Sequence, residues 1–172
     1  MYAKSTLIRI RTKYLSYPVP PKAKEVHFKI LNDIYPCNDF IQNRFKMEVM
    51  SCSFCEVEAE TAKHLFFECQ TVNAFWKAFE EWIVGENNII PEISYECLRV
   101  GFFMMEDKNV ELVYNTLLLL ATFFIHKCRF FKTNPVFRVF TNELNIYKKS
   151  VKIMKGAKAQ LMYEHLCQLI EE

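Results

Sequence analysis

The chain has 172 residues, 51% of them hydrophobic, a formal net charge of +2 and three glycines. That suffices for one domain or two small ones with a core of their own, while the scarcity of glycine excludes a glycine-rich phosphate loop and disfavours a turn-rich sheet fold. The opening stretch MYAKSTLIRIRTKYLSYPVPPKAK has no long apolar run and is not a secretory signal. The chain is therefore expected in the cytoplasm or nucleus, where clustered cysteines point to metal before disulfides.

The small net charge hides a polarised chain. Residues 1–50 carry nine Lys/Arg against four acids, residues 51–110 four against eleven, and residues 111–172 nine against five. The basic ends meet either a polyanion or the acidic middle of the same chain.

In chain order, a proline cluster at residues 18–21 precedes Ala23, Val26, Ile30 and Ile34 at helical spacing, and Pro36 ends that pattern. Asn38 is placed to cap a short helix through about Arg44, with Phe40 and Ile41 inward. Val72, Phe75, Trp76, Phe79 and Trp82 form a stripe on a further helix that Gly85 is expected to stop. ENNIIPEIS reads as a loop, and YECLRVGFFM fits either strand or helix. Val110 to Phe131 reads as a long helix, apolar almost all round and hence central. Its most apolar run, Val113 to Ile125, would span about 20 Å as a helix, short of the roughly 30 Å hydrocarbon core of a bilayer. A last long helix, about Val136 to Met154, steps through Phe137, Phe140, Leu144, Tyr147 and Val151. The fold class expected is mainly α: helices around a buried central one, with a small cysteine-rich knuckle that admits a two-stranded β-ribbon.

That knuckle lies in CSFCEVEAETAKHLFFEC, where Cys52, Cys55, His64 and Cys69 follow the pattern C-x2-C-x8-H-x4-C. A Cys-x2-Cys pair on a tight turn supplies two thiolates from one side, and a second pair closes a tetrahedron around Zn2+. His64 and Cys69 are five apart, about 140° around a regular helix, so both reach one metal only from a turn after Thr61 that distorts before Cys69. Four protein ligands leave no open position, which makes the site structural. The competing reading is a set of ordinary buried cysteines. His126/Cys128 and His165/Cys167 are two apart, about 200° on a helix, and neither pair can chelate one ion. His27 reads as a packed histidine.

No catalytic residues are assigned. The three aspartates, Asp33, Asp39 and Asp107, form no adjacent acidic pair, and neither G-x-S-x-G nor a Walker pattern is present.

Pro20-Pro21-Lys22 ahead of the first helix, Cys52-x2-Cys55, ETAKHLFFEC and Phe75-Trp76 resemble the zinc-binding domain that follows the reverse transcriptase in non-LTR (LINE-type) retrotransposons. Phe28 stands where many relatives carry tryptophan. The later LLLLATFFIHKCRF and NPVFRVFTNEL are similar to the C-terminal end of vertebrate LINE second-frame proteins. The resemblance covers about residues 18–83, and more loosely 100–155. It implies a non-catalytic module of a polyprotein that acts by target-primed reverse transcription, with the zinc region helping to bind RNA or DNA. The parent's polymerase and endonuclease parts are not in this sequence, so their activity does not carry over. The organisation expected is a basic leader (1–17), the zinc-binding module (18–86) and a helical region packing on it (87–172).

The zinc stretch is itself acidic and a poor phosphate ligand. The candidates for nucleic-acid contact are Lys127, Arg129, Lys132, Arg138, Lys148, Lys149 and Lys152, followed by Lys155 and Lys158. Phe130, Phe131, Phe137, Phe140 and Tyr147 are interleaved and can stack on unpaired bases or fill the core. Lys4, Arg9, Arg11, Lys13, Lys22 and Lys24 extend the set. Two function classes follow: an RNA/DNA-binding accessory module, or a structural module docking on the parent reverse transcriptase.

Overall fold

A computed structural model describes residues 12–48, 51–84, 92–103 and 105–170. In chain order these form a 3-10 turn at Lys13–Ser16, α1 (Pro21–Leu31), α2 (Asn38–Phe45), a π-helical turn at His64–Glu68, α3 (Gln70–Val84), α4 (Tyr95–Val100), α5 (Lys108–Phe131), α6 (Phe137–Ile153) and α7 (Ala157–Leu169). The fold is mainly helical, as expected. Among the described residues the anticipated ribbon is reduced to one antiparallel bridge, Ser51 to Ala59. Inside that bridge the chain closes on itself too tightly for a ladder, with Cys52 N–H on the Glu58 carbonyl at 2.7 Å and Glu56 N–H on the Cys52 carbonyl at 2.9 Å.

Helix α5 is the axis. Asp107 caps it by accepting from the N–H groups of Asn109 and Val110. Every residue from Glu111 to Thr122 is buried, because α1, α4, α7 and the π turn all pack on it. Its length and composition would allow it to cross a membrane, but 78% of its most apolar window lies inside the protein. The helix extends well beyond the thirteen-residue apolar run, and its polar members are satisfied within the fold. Glu111 is salt-bridged by Lys13 and Lys108. Asn115 accepts from Phe102 N–H at 2.6 Å and donates to the Phe102 carbonyl at 2.8 Å. That clasp needs Gly101, which has φ +78° and lies so close that a Cβ there would sit 2.7 Å from Asn115 Oδ1.

An aromatic cluster ties α3, α5 and α6 together. Phe75 lies 5.7 Å from Phe124 and 5.5 Å from Phe140, and Phe124 lies 5.5 Å from Phe140. Such pairs add about 0.5–1.5 kcal/mol each beyond the area they bury.

Several elements differ from expectation. Helix α1 stops at Leu31, because Asp33 turns the chain through φ +55° and leaves Ile34 half exposed. Helix α2 starts at Asn38 with Cys37 at its cap, and no side chain caps it. The Asn38 amide bonds the Ser51 carbonyl instead, at 2.9 Å. Phe40 and Ile41 are only half buried. YECLRV is helical, begun by the Ser94 hydroxyl accepting from Cys97 N–H. Helix α7 was not anticipated. Ala159, Met162 and Leu166 bury it against α6 and α5, a stripe too short to stand out after Gly156. Gly85 and most of the ENNIIPEIS loop lie outside the described residues.

Candidate metal centre

Cys52 begins a tight turn that brings Cys55 round to the same side. The turn is closed by Glu56 in the left-handed region at φ +59°, a conformation that costs an L-residue roughly 1–2 kcal/mol. Phe54 N–H points at Cys52 Sγ at 3.4 Å. From the other side, the Thr61 hydroxyl accepts from His64 N–H at 3.0 Å and starts a helical turn. The chain then under-winds and widens, and Cys69 N–H bonds the His64 carbonyl, five residues back, at 2.8 Å. This i→i+5 closure is the distortion that His-x4-Cys demands: it returns Cys69 to the His64 face, which a regular helix would not do. Trp76 holds the wide turn in place, its indole N–H bonding the Phe66 carbonyl at 2.8 Å.

The ligand atoms of Cys52, Cys55, His64 and Cys69 all lie within 4.8 Å of one another. Cys52 and Cys69 sulfurs are 3.8 Å apart, and Cys55 Sγ is 3.4 Å from His64 Nε2. A tetrahedral zinc with Zn–S near 2.3 Å and Zn–N near 2.0 Å requires S···S of about 3.8 Å and S···N of about 3.5 Å. The set fits zinc in chemistry and in size. With Nε2 turned to the metal position, His64 Nδ1 faces Glu58 Oε2 at 3.3 Å, which fixes the tautomer and orients the ring. Among the described residues no other group of three or more potential ligands converges. His126 is taken by the Tyr35 hydroxyl at 2.8 Å, Cys167 is exposed, and His27 is buried against the Tyr14 ring.

The free ligands are not equally ready to bind. Burial pushes the Cys52 thiol up to about 12. Burial also acts to raise Cys55, but the backbone N–H groups of Glu58 and Val57 and the His64 side chain outweigh it and bring the thiol down to about 6. Zinc entry must therefore displace a proton from Cys52, and acid opposes binding.

One carboxylate next to the ligands was not singled out from the sequence. Glu60 is fully buried. One of its oxygens accepts from Asn38 N–H at 3.0 Å and from Arg129 Nε at 3.0 Å, and the other from Ser53 N–H at 2.7 Å. Burial would raise its carboxyl, but Arg129 and Ser53 hold it below the usual range. Arg129 also bonds the Pro36 carbonyl and lies over the Tyr35 ring. A buried ion pair, with two Arg129 nitrogens on one Glu60 oxygen, thus joins the metal loop to the end of α5. Glu60 sits in an acidic run that otherwise reads as solvated, so nothing in its spacing marked it.

The basic candidates divide in the same way. Lys127 is ion-paired with Glu143, and Arg129 is held by Glu60. Lys148 reaches the Ile170 carbonyl, and Lys152 lies over the Tyr163 ring. Lys132, Arg138 and Lys149 are exposed and make no ion pair among the described residues. Arg138 and Lys149 stand at opposite ends of α6, about 17 Å apart along its axis, so the candidates form two patches. Of the N-terminal set, Lys13 pairs with Glu111 and Lys22 with Glu25, while Lys24 bonds the Leu15 carbonyl. Lys4, Arg9 and Arg11 lie outside the described residues.

A helical scaffold carrying a closed Cys3His cluster defines a structural zinc-binding module. Residues 4–76 match the family described as zinc-binding in reverse transcriptase. The match contains all four clustered side chains, so this segment is a zinc-binding domain of the reverse-transcriptase type, an accessory domain and not a catalytic one. No curated protein and no solved structure matches the chain.

Proposed function

We propose that the protein is the zinc-binding accessory module of a LINE-type retrotransposon reverse transcriptase, and that it helps to hold RNA or DNA during target-primed reverse transcription. The observation that carries this reading is the Cys3His cluster inside a segment of the reverse-transcriptase zinc-binding family. Zinc shapes the loop, and the loop is clamped to the helices by Glu60 and Arg129. Lys132, Arg138, Lys149 and Lys155, which are exposed and make no ion pair among the described residues, are the candidates available to phosphates. On this reading residues 1–17 are a basic leader, 18–86 the zinc module and 87–172 its helical support. The protein works in the cytoplasm or nucleus beside the polymerase and endonuclease of its parent.

Metal content and RNA-binding titrations against salt test it together. The expected result is one zinc per chain, lost in Cys52→Ser and His64→Ala, and an affinity for RNA that falls steeply with salt. A zinc-loaded chain with no affinity for RNA or DNA at low salt overturns the nucleic-acid role.

A second reading, docking on the parent reverse transcriptase, is favoured by the exposed Glu56, Glu58 and Glu68 around the metal loop, which repel phosphate. Binding to a reverse-transcriptase domain that survives charge reversal at Lys132, Arg138 and Lys149 would support it.

A further inference from the structure

Of the aromatic side chains interleaved with the basic residues near the end of the chain, most are used internally. Phe140 is 1% exposed, and Phe137 and Tyr147 are packed against the core. Phe130 and Phe131 are not: they are 73% and 67% exposed. Their rings meet edge to face at 5.2 Å, so the pair presents two ring faces at a right angle, one the wall of the other. Two neighbouring phenylalanines held in water forgo about 1.5–3 kcal/mol each that burial would bring.

Along the chain, the charged neighbours of the pair are cationic. From His126 to Asn142 the chain carries Lys127, Arg129, Lys132 and Arg138 and no acid. Lys127 and Arg129 are neutralised internally, whereas Lys132 directly follows the pair and Arg138 lies in the first turn of α6. The carbonyl end of α5, which would repel phosphate, is covered: Lys132 N–H bonds the Arg129 carbonyl and Thr133 N–H the Cys128 carbonyl.

We propose that Phe130 and Phe131, with Lys132 and Arg138, form a stacking site for unpaired bases of single-stranded nucleic acid. The inference rests on the nucleic-acid reading above and locates it. Exposed ring faces bind any base through its π-face, and adjacent cations hold the phosphates on either side, a combination selective for single strands because duplex bases are already stacked. The other free patch, at the far end of α6, has lysines without exposed aromatic rings and would add only electrostatic attraction.

The test uses the full zinc-loaded chain with three labelled probes: 20-nucleotide oligo-U, 20-nucleotide oligo-dT and a 20-base-pair DNA duplex. Phe130→Ala/Phe131→Ala is expected to weaken both single strands about tenfold or more and leave the duplex unchanged. Phe130→Tyr/Phe131→Tyr should bind as wild type, and Phe130→Leu/Phe131→Leu should behave like the alanine pair. Lys132→Glu/Arg138→Glu should lower the salt dependence by about 1.4 in logarithmic slope, two contacts at about 0.7 each. Equal weakening of oligo-U and oligo-dT indicates base stacking alone, and a larger loss with oligo-U adds contacts to the ribose. Wild-type single-strand affinity in the alanine pair, with binding still sensitive to Lys149→Glu/Lys152→Glu, overturns this site and leaves the function standing. Leucine variants that bind as well as wild type, or a change of the alanine pair from oligomer to monomer in sedimentation, would assign the pair to a protein contact instead. Failure of the wild-type chain to bind any of the three probes removes both readings.

Discussion

Between Ser51 and Cys69 six residues are buried: Cys52, Glu60, His64, Leu65, Phe66 and Cys69. Three of these are metal ligands and one is a carboxylate. Along α5, in contrast, burial is continuous from Glu111 to Thr122, and eight of those twelve residues are apolar. The metal loop has almost no core of its own, tolerates a residue at positive φ, and contains a π turn. The bundle is built from regular helices that bury each other. Order in the loop therefore comes from ligation and from one ion pair, and order in the bundle from the hydrophobic effect. The two should fail under different treatments.

The largest difference should come from the metal. Apparent zinc-binding energies in small peptides are about 10–16 kcal/mol, and with so little packing in the loop most of that is folding energy. Chelation, or Cys52→Ser, is expected to expose the amides of residues 51–69 to hydrogen exchange while the interior of α5 stays protected. Simultaneous loss of protection in both would show that the bundle is not independent of the metal.

Phe140→Ala probes the other side. It removes a buried ring that touches Phe75, Phe79, Phe124 and Phe137 and should cost about 3–5 kcal/mol in denaturant titrations. Zinc content in native buffer should stay at the wild-type level.

Arg129→Ala attacks the link between the two. It leaves the Glu60 carboxylate buried without its cation and should cost about 3–5 kcal/mol, with zinc released at lower chelator concentration than from wild type. The effect should be pH-dependent in the wild-type chain. Glu60 has a lowered folded pKa, so its contribution is present above the ordinary carboxylate range and is lost as pH falls through the folded value. Arg129→Ala should remove that acid-sensitive component.

The smallest change is a gain. Glu56→Gly relieves the left-handed strain and should strengthen the metal loop by about 1 kcal/mol, seen as slower zinc loss to a chelator with the bundle's denaturation midpoint unchanged.

Much of this contrast was legible in the chain. The 3.6-residue stripes of α3, α5 and α6 follow from burial of one or all faces, and the ligand spacing named the metal and even the need for a distorted turn before Cys69. What the sequence did not reveal has a common physical cause: it depends on partners distant in the chain. Glu60 becomes buried only because Arg129 arrives at it from α5. Lys127 looked available to phosphate until Glu143, in the second turn of α6, took it up. Phe130 and Phe131 share the composition of the neighbouring core phenylalanines, and only the end of α5 decides that they face water.

The chain has two tryptophans, and each closes a hydrogen bond on a different part of the molecule. Trp76 donates to the Phe66 carbonyl in the π turn, and Trp82 donates to the Leu169 carbonyl at the end of α7, at 3.2 Å. The protein thus contains two tryptophan fluorophores wired to separate regions. With Trp82→Phe, emission reports on the turn that carries His64 and Cys69, and with Trp76→Phe it reports on the docking of the last helix. Metal loss and bundle melting can then be followed as two optical signals from unlabelled protein.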